Sequence, residues 1–92
     1  MRIDKLLWFL RFVKSRSLAQ TLVGEGHIRH NGRRVERCAH NIAVGDVLVL
    51  PLQQGVQVIE LLAMPNRRGP GDEARACYRL IEQHDASPRS DT

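Results

Sequence analysis

Long hydrophobic runs are missing from this 92-residue chain. The longest early one, Leu6 to Leu10, is closed by Arg11. That is far short of the roughly 20 residues a membrane helix needs. It is also too short and too charged for a secretory leader. The expectation is a cytoplasmic protein that does not engage a membrane. Cysteine is scarce: Cys38 and Cys77 lie far apart and form no CxxC, so they read as free thiols in a reducing compartment. Aromatic residues make up 4 % of the chain, and none are spaced like a stacking platform for single strands. GxSxG, HExxH and P-loop signatures do not occur. The length excludes an enzyme with separate cofactor and substrate domains and leaves one small domain with a modest core.

What the chain has is positive charge, unevenly placed. The net charge is +4 and the sequence pI near 9.8. Residues 1–37 hold nine basic and three acidic residues, a balance of +6, and the remainder carries −2. A lopsided field of this kind favours a polyanionic partner.

Periodicity predicts a first helix capped by Asp4 and running to about Lys14, with Leu6, Phe9, Leu10 and Val13 on its buried face. Trp8 and Phe12 share a further face and read as core. A second helix begins at Ser17, where Ser17 and Gln20 match a capping box. Leu18, Ala19, Leu22 and Val23 form its stripe, and Gly26 stops it. His27 to His30, Asn31-Gly32 and Arg33 to Glu36 form a two-residue hairpin. This register sets Ile28 against Val35 inside and Arg29 against Arg34 outside. Like charges directly opposed are destabilising, and a bound anion relieves that cost. A strand from Val47 to Leu50 ends at Pro51, and another spans Val56 to Leu62. Asp72 or Glu73 opens a short helix through Tyr78 or beyond, with Ala74, Cys77, Tyr78 and Ile81 on one face. The tail from His84 reads as disordered.

The ordered run Arg2-x-Asp4, Ser15-Arg16-Ser17-x-Ala19, Leu22, Gly26-x-Ile28, Asn31-Gly32, Val35 and Val44-Gly45-Asp46 resembles the S4 domain over roughly residues 2–50. The whole chain resembles the heat-shock protein 15 family of ribosome-associated proteins. The opening MRIDKLLWFLRFVKSRSLA and the later NRRGPGDEARACYRLIE carry that resemblance. It implies an α+β fold: an S4-like motif of two short helices on a small, mainly antiparallel sheet, with a short C-terminal helix. The expected domain is 1–83, with the core motif at about 2–50 and an extension at 51–83. The implied function is non-catalytic binding of structured ribosomal RNA on the large subunit, on stalled or split particles carrying peptidyl-tRNA, in a heat-shock or quality-control role. Contact with tRNA is included; a cofactor, a metal and a small-molecule substrate are not, and the chain is expected to be a monomer. Two departures stand out. His30 replaces an apolar or aromatic residue common in the family, and the long basic C-terminal extension of larger members is lacking.

The expected RNA-binding residues are Lys5, Arg11, Lys14, Arg16, Ser17, Gln20, Arg29, Asn31, Arg33, Arg34, Arg67 and Arg68. Ser17 stands at a helix N-terminus, where free N–H groups favour phosphate. Arg16 and Lys14 flank it, and Arg11 extends the strip. Gln20 either caps the helix or reaches a sugar or base. The hairpin arginines offer forked donors, while Asn31 supplies the turn's positive φ. Arg67 and Arg68 clamp from a loop. RNA duplexes are read mainly through phosphates and 2′-hydroxyls. Rival readings are a detached RNA-targeting module serving a modifying enzyme, a protein adaptor using a helix at 73–82, and a zinc site from His27, His30, Cys38 and His40. Strand alternation sets His27 and His30 on opposite faces, which weakens the last.

Overall fold

The computed structural model describes residues 1–85. Two helices lie against one five-stranded antiparallel sheet: α1 (Ile3–Phe9), α2 (Arg16–Gly24), β1 (Arg29–His30), β2 (Arg33–Arg34), β3 (Val47–Leu52), β4 (Gly55–Leu61), α3 (Gly71–Arg75) and β5 (Tyr78–Asp85). The strand order is β2-β1-β3-β4-β5. This is the α+β arrangement the sequence led us to expect.

The core sits between the helices and one face of the sheet. Ile3, Leu6, Leu7 and Leu10 from α1 and its cap meet Ala19 and Val23 of α2. Below them lie Ile28, Val35, Leu48, Leu50, Ile59 and Leu61, all at most 2 % exposed. Each large aliphatic side chain buried this way stabilises the fold by about 1.5–3 kcal/mol.

The first helix is shorter than its apolar periodicity suggested. Its N-cap is Arg2, so Asp4 lies inside the first turn instead of capping it. At the other end Arg11 takes a left-handed φ of 64°. The Phe12 N–H donates to Leu7 O and the Arg11 N–H to Trp8 O, at 3.0 and 3.1 Å. These paired bonds are a Schellman ending, a position glycine normally fills. With arginine there, nothing local announced the stop. Phe12 then packs on the core and against Tyr78, with ring centroids 4.9 Å apart. Trp8 instead stays half-buried beside Phe9 and outside the core cluster.

The second helix is capped by Ser15, whose hydroxyl accepts from the Leu18 N–H, two residues earlier than expected. Ser17 and Gln20 form no capping box: the Ser17 hydroxyl meets Ser15 and Gln20 reaches Asp4. Gly26 ends the segment at φ 79° as anticipated.

The hairpin has the expected register, Arg29 with Arg34 and His30 with Arg33. Asn31 and Gly32 both have positive φ, 50° and 86°, as a type I′ turn requires. Pro51 does not end β3. The strand runs on to Leu52 because β1 reaches only Leu48 and Val49, leaving no ladder there for the missing N–H to break.

The largest departure is at the C-terminal end. The expected helix through Tyr78 is a five-residue α3 followed by a strand. β5 pairs with β4 along its length, Tyr78 with Leu61 through Asp85 with Gly55, and Ile81 is bulged out between Glu82 and Leu80. The apolar spacing that read as helical arises partly from that bulge, which offsets strand alternation by one. An adaptor built on a 73–82 helix therefore loses its basis. Of the expected tail, His84 and Asp85 belong to β5, and residues 86–92 lie outside the described residues.

Candidate nucleic-acid interface

The chain's start is organised by one buried carboxylate. Asp4 has no solvent exposure. Arg2 donates to it from Nε and an amino group, both at 3.1 Å. The Lys5 N–H donates at 2.7 Å and the Gln20 amide at 3.3 Å, and Arg16 Nε lies 3.5 Å away. Burial by itself raises the Asp4 pKa. The bonds from Arg2, Gln20 and Lys5, with the Arg16 charge, outweigh it and hold the carboxyl below its ordinary value. The consequence is positional. Asp4 ties the first residue of α2 to α1 and fixes the bases of Arg2 and Arg16, which remain 46 % and 40 % exposed.

A second hub secures the hairpin. His30 Nε2 meets Asp46 Oδ2 at 2.6 Å, and His30 Nδ1 meets His40 Nε2 at 2.8 Å. The Asn31 amide donates to Asp46, and its oxygen accepts from the Val47 N–H. Asp46 also accepts from the Ala43 N–H. That backbone bond, against the opposing effect of burial and with help from His30 and Asn31, lowers the Asp46 pKa. The polar His30 thus fits a position where the resemblance implied an apolar side chain. Asn31 serves the turn and locks it to the sheet.

The two hubs connect. Backbone N–H groups of Ile3 and Asp4 donate to His40 O and Cys38 O, and the Cys38 thiol points to Gln20 O. Contact therefore runs from Arg16 through Asp4 and residues 38–40 to His30 and its cross-strand neighbour Arg33. His27 is exposed and apart from this, and no group of three His, Cys, Asp or Glu able to hold a metal occurs among the described residues.

The twelve expected contact residues fall into separate places. Arg16, Ser17 and Gln20 lie by the Asp4 hub, although Ser17 is no longer the cap. Asn31 and Arg33 lie at the hairpin. Arg29 and Arg34 point to the opposite face of the sheet, because Arg29 aligns with Val49 while the neighbouring Leu48 faces the core. Arg11, Lys14 and Arg68 line a groove beside α2. Lys5 lies over the Phe9 ring at 5.2 Å. Arg67 pairs with Glu73 at 2.9 Å, both well exposed. Sequence reasoning missed Arg2 as a functional candidate and missed both hubs. The Arg2-x-Asp4 spacing was visible, but not the burial that gives it meaning.

The matches to known proteins agree with this architecture. The S4 domain family model matches residues 1–48. The chain belongs to the S4 domain family. Its similarities extend past that motif to the heat shock protein 15 group. The Haemophilus influenzae heat shock protein 15 homolog is 30 % identical over 82 residues, covering 89 % of this chain and 62 % of that protein. A trimeric Vibrio cholerae heat shock protein 15 structure superposes with a TM-score of 0.81 at 31 % identity, covering 88 % and 81 % of the two chains. The small ribosomal subunit protein uS4 of Fusobacterium nucleatum is 36 % identical over 61 residues, or 65 % of this chain and 31 % of that protein. The chain spans about three-fifths of the curated heat shock protein 15 relatives. No helix among the described residues is long and apolar enough to cross a membrane.

Proposed function

We propose that this chain is a non-catalytic, ribosome-associated RNA-binding protein. It grips the backbone of structured ribosomal RNA through Arg2, Arg16 and the hairpin residues around Arg33. The carrying observation is the Asp4 hub. A buried carboxylate that fixes two half-exposed arginines, Arg2 at the cap of α1 and Arg16 at the start of α2, supplies preorganised forks for phosphate. Its connection to the Asp46 hub holds the hairpin cations in fixed relation to them, so recognition is of shape and charge. Likeness to heat shock protein 15 favours the large subunit, with peptidyl-tRNA on stalled or split particles and a quality-control role, as the setting in the cytoplasm. The free chain is proposed to be a monomer, which light scattering tests against the trimer seen in the Vibrio cholerae relative.

The test is co-sedimentation with ribosomes, separated subunits and stalled peptidyl-tRNA complexes across a salt series. Binding should favour large subunits and weaken steeply as salt rises, because each phosphate contact releases counterions. Reversing Arg16 and Arg33 to Glu should abolish association while circular dichroism shows a folded chain. A folded double variant that still sediments with large subunits would show the chosen surface to be wrong.

A further inference from the structure

The groove on the far side of α2 has a composition that backbone gripping does not explain. It encloses about 660 Å³, within the roughly 300–1,000 Å³ typical of small-ligand sites. Its apolar lining includes Phe12, Leu18, Leu22 and Leu52, and Leu18 is 48 % exposed. Arg11, Lys14 and Arg68 supply cations, against the single carboxylate of Glu25.

Two of those cations are held in place. Arg11 keeps its left-handed backbone, strained for any non-glycine residue, and its Nε donates to Gly69 O at 2.8 Å. Strain retained at a charged residue points to a role for the side chain. Arg68 donates from Nε to Trp8 O at 3.1 Å and lies 5.7 Å from the Trp8 ring centre. Among the described residues, neither guanidinium uses its terminal amino groups in a hydrogen bond. Four forked N–H donors remain on each. Gln53 and Gln54 add amides that can both donate and accept.

We propose that this groove takes one unstacked nucleotide of a single-stranded RNA segment. The base lies against Leu18, Leu22 and Leu52, and the flanking phosphates meet Arg11, Lys14 and Arg68. This rests on the RNA-binding reading above and deepens it, adding a pocket for a nucleotide to a surface that grips backbone. Fixed guanidinium forks suit phosphate oxygens, the apolar wall suits a base face, and the glutamines suit base edges. An apolar peptide explains the wall but leaves three cations against one carboxylate unused.

The experiment is an amide NMR titration of the full chain with a four-nucleotide single-stranded RNA, and with the same sugar-phosphate backbone lacking bases. The expected result is shifts at residues 11–14, 18–25 and 52–54 with the base-bearing RNA. Binding should be at least about tenfold weaker for the abasic backbone, because burial of the base face against the leucine wall is lost. Leu18→Glu should weaken it similarly, and Lys14→Glu gives a second variant should the first fail to fold. Equal affinity for the abasic probe, shifts confined to other surfaces, or tighter groove binding by a glutamate-rich peptide would each overturn the proposal. Ribosome co-sedimentation separates the two failures. A chain that sediments but shows no groove response refutes the pocket alone. One that does neither refutes both, and a groove response without sedimentation supports the pocket while refuting the ribosomal reading.

Discussion

Replacing Asp4 is the sharpest probe of how the chain holds its cations. In Asp4→Ala the carboxylate disappears along with bonds from Arg2, Gln20 and the Lys5 amide. Removing one partner of a buried ion pair costs about 3–5 kcal/mol when the survivor stays buried. Here the survivors, Arg2 and Arg16, are 46 % and 40 % exposed, so most of each guanidinium is hydrated and only Arg16 Nε stays buried without a hydrogen bond. The expected loss is therefore nearer about 2 kcal/mol. For a domain of this size that lowers the melting temperature by roughly 8–16 °C. Asp4→Asn separates charge from shape and makes the prediction pH-dependent. The folded carboxyl titrates below its unfolded value. Its contribution is thus complete above the ordinary carboxylate range near pH 4 and disappears as pH falls through the folded value. Thermal and urea unfolding followed by circular dichroism should show a wide gap between parent and Asp4→Asn at pH 7, closing on acidification. A neutral-pH gap under about 0.5 kcal/mol, the range of ordinary surface changes, would refute the hub. So would a gap that persists unchanged in acid.

Three further outcomes follow from the same geometry. Arg11→Gly should be more stable than Arg11→Ala by about 1 kcal/mol, because only glycine relieves the left-handed strain once the Gly69 contact is lost; equal urea midpoints would count against a strained helix end. Gly32→Val should destabilise by about 1–3 kcal/mol, since a β-branched residue is forced to φ 86°; an unchanged melting curve would contradict the turn. Asp46→Ala should speed hydrogen exchange at Asn31, Ala43 and Val47 and weaken ribosome association, while leaving the α1 and α2 amides protected. Uniform loss of protection would mean that Asp46 supports the whole fold instead of the hairpin.

The parts legible in the sequence were those written in local chemistry. Asn31-Gly32 dictated the turn because few residues accept two successive positive φ values. The register that buries Ile28 and Val35 followed from it. The stripe of α2 and its stop at Gly26 were equally readable. Errors arose where a distant partner decided. Ser15 rather than Ser17 caps α2, since Gln20 is drawn away to Asp4, sixteen residues off. Tyr78–Asp85 became a strand because the edge of β4 offers it a full ladder, and a bulge at Ile81 disguised its alternation as a helical spacing.

The site divides along the same line. Its charge surplus, its arginine-rich hairpin and its kinship with the S4 motif were fixed by the order of residues, because charge and turn geometry are properties of short segments. Only the tertiary structure decided which cations share a surface. Burial turned Asp4 into an anchor for Arg2 and Arg16, the backbone bonds to residues 38–40 tied that anchor to the hairpin, and the ending of α1 at Arg11 opened a groove. Desolvation and cross-chain hydrogen bonds exist only once segments far apart in the chain have met.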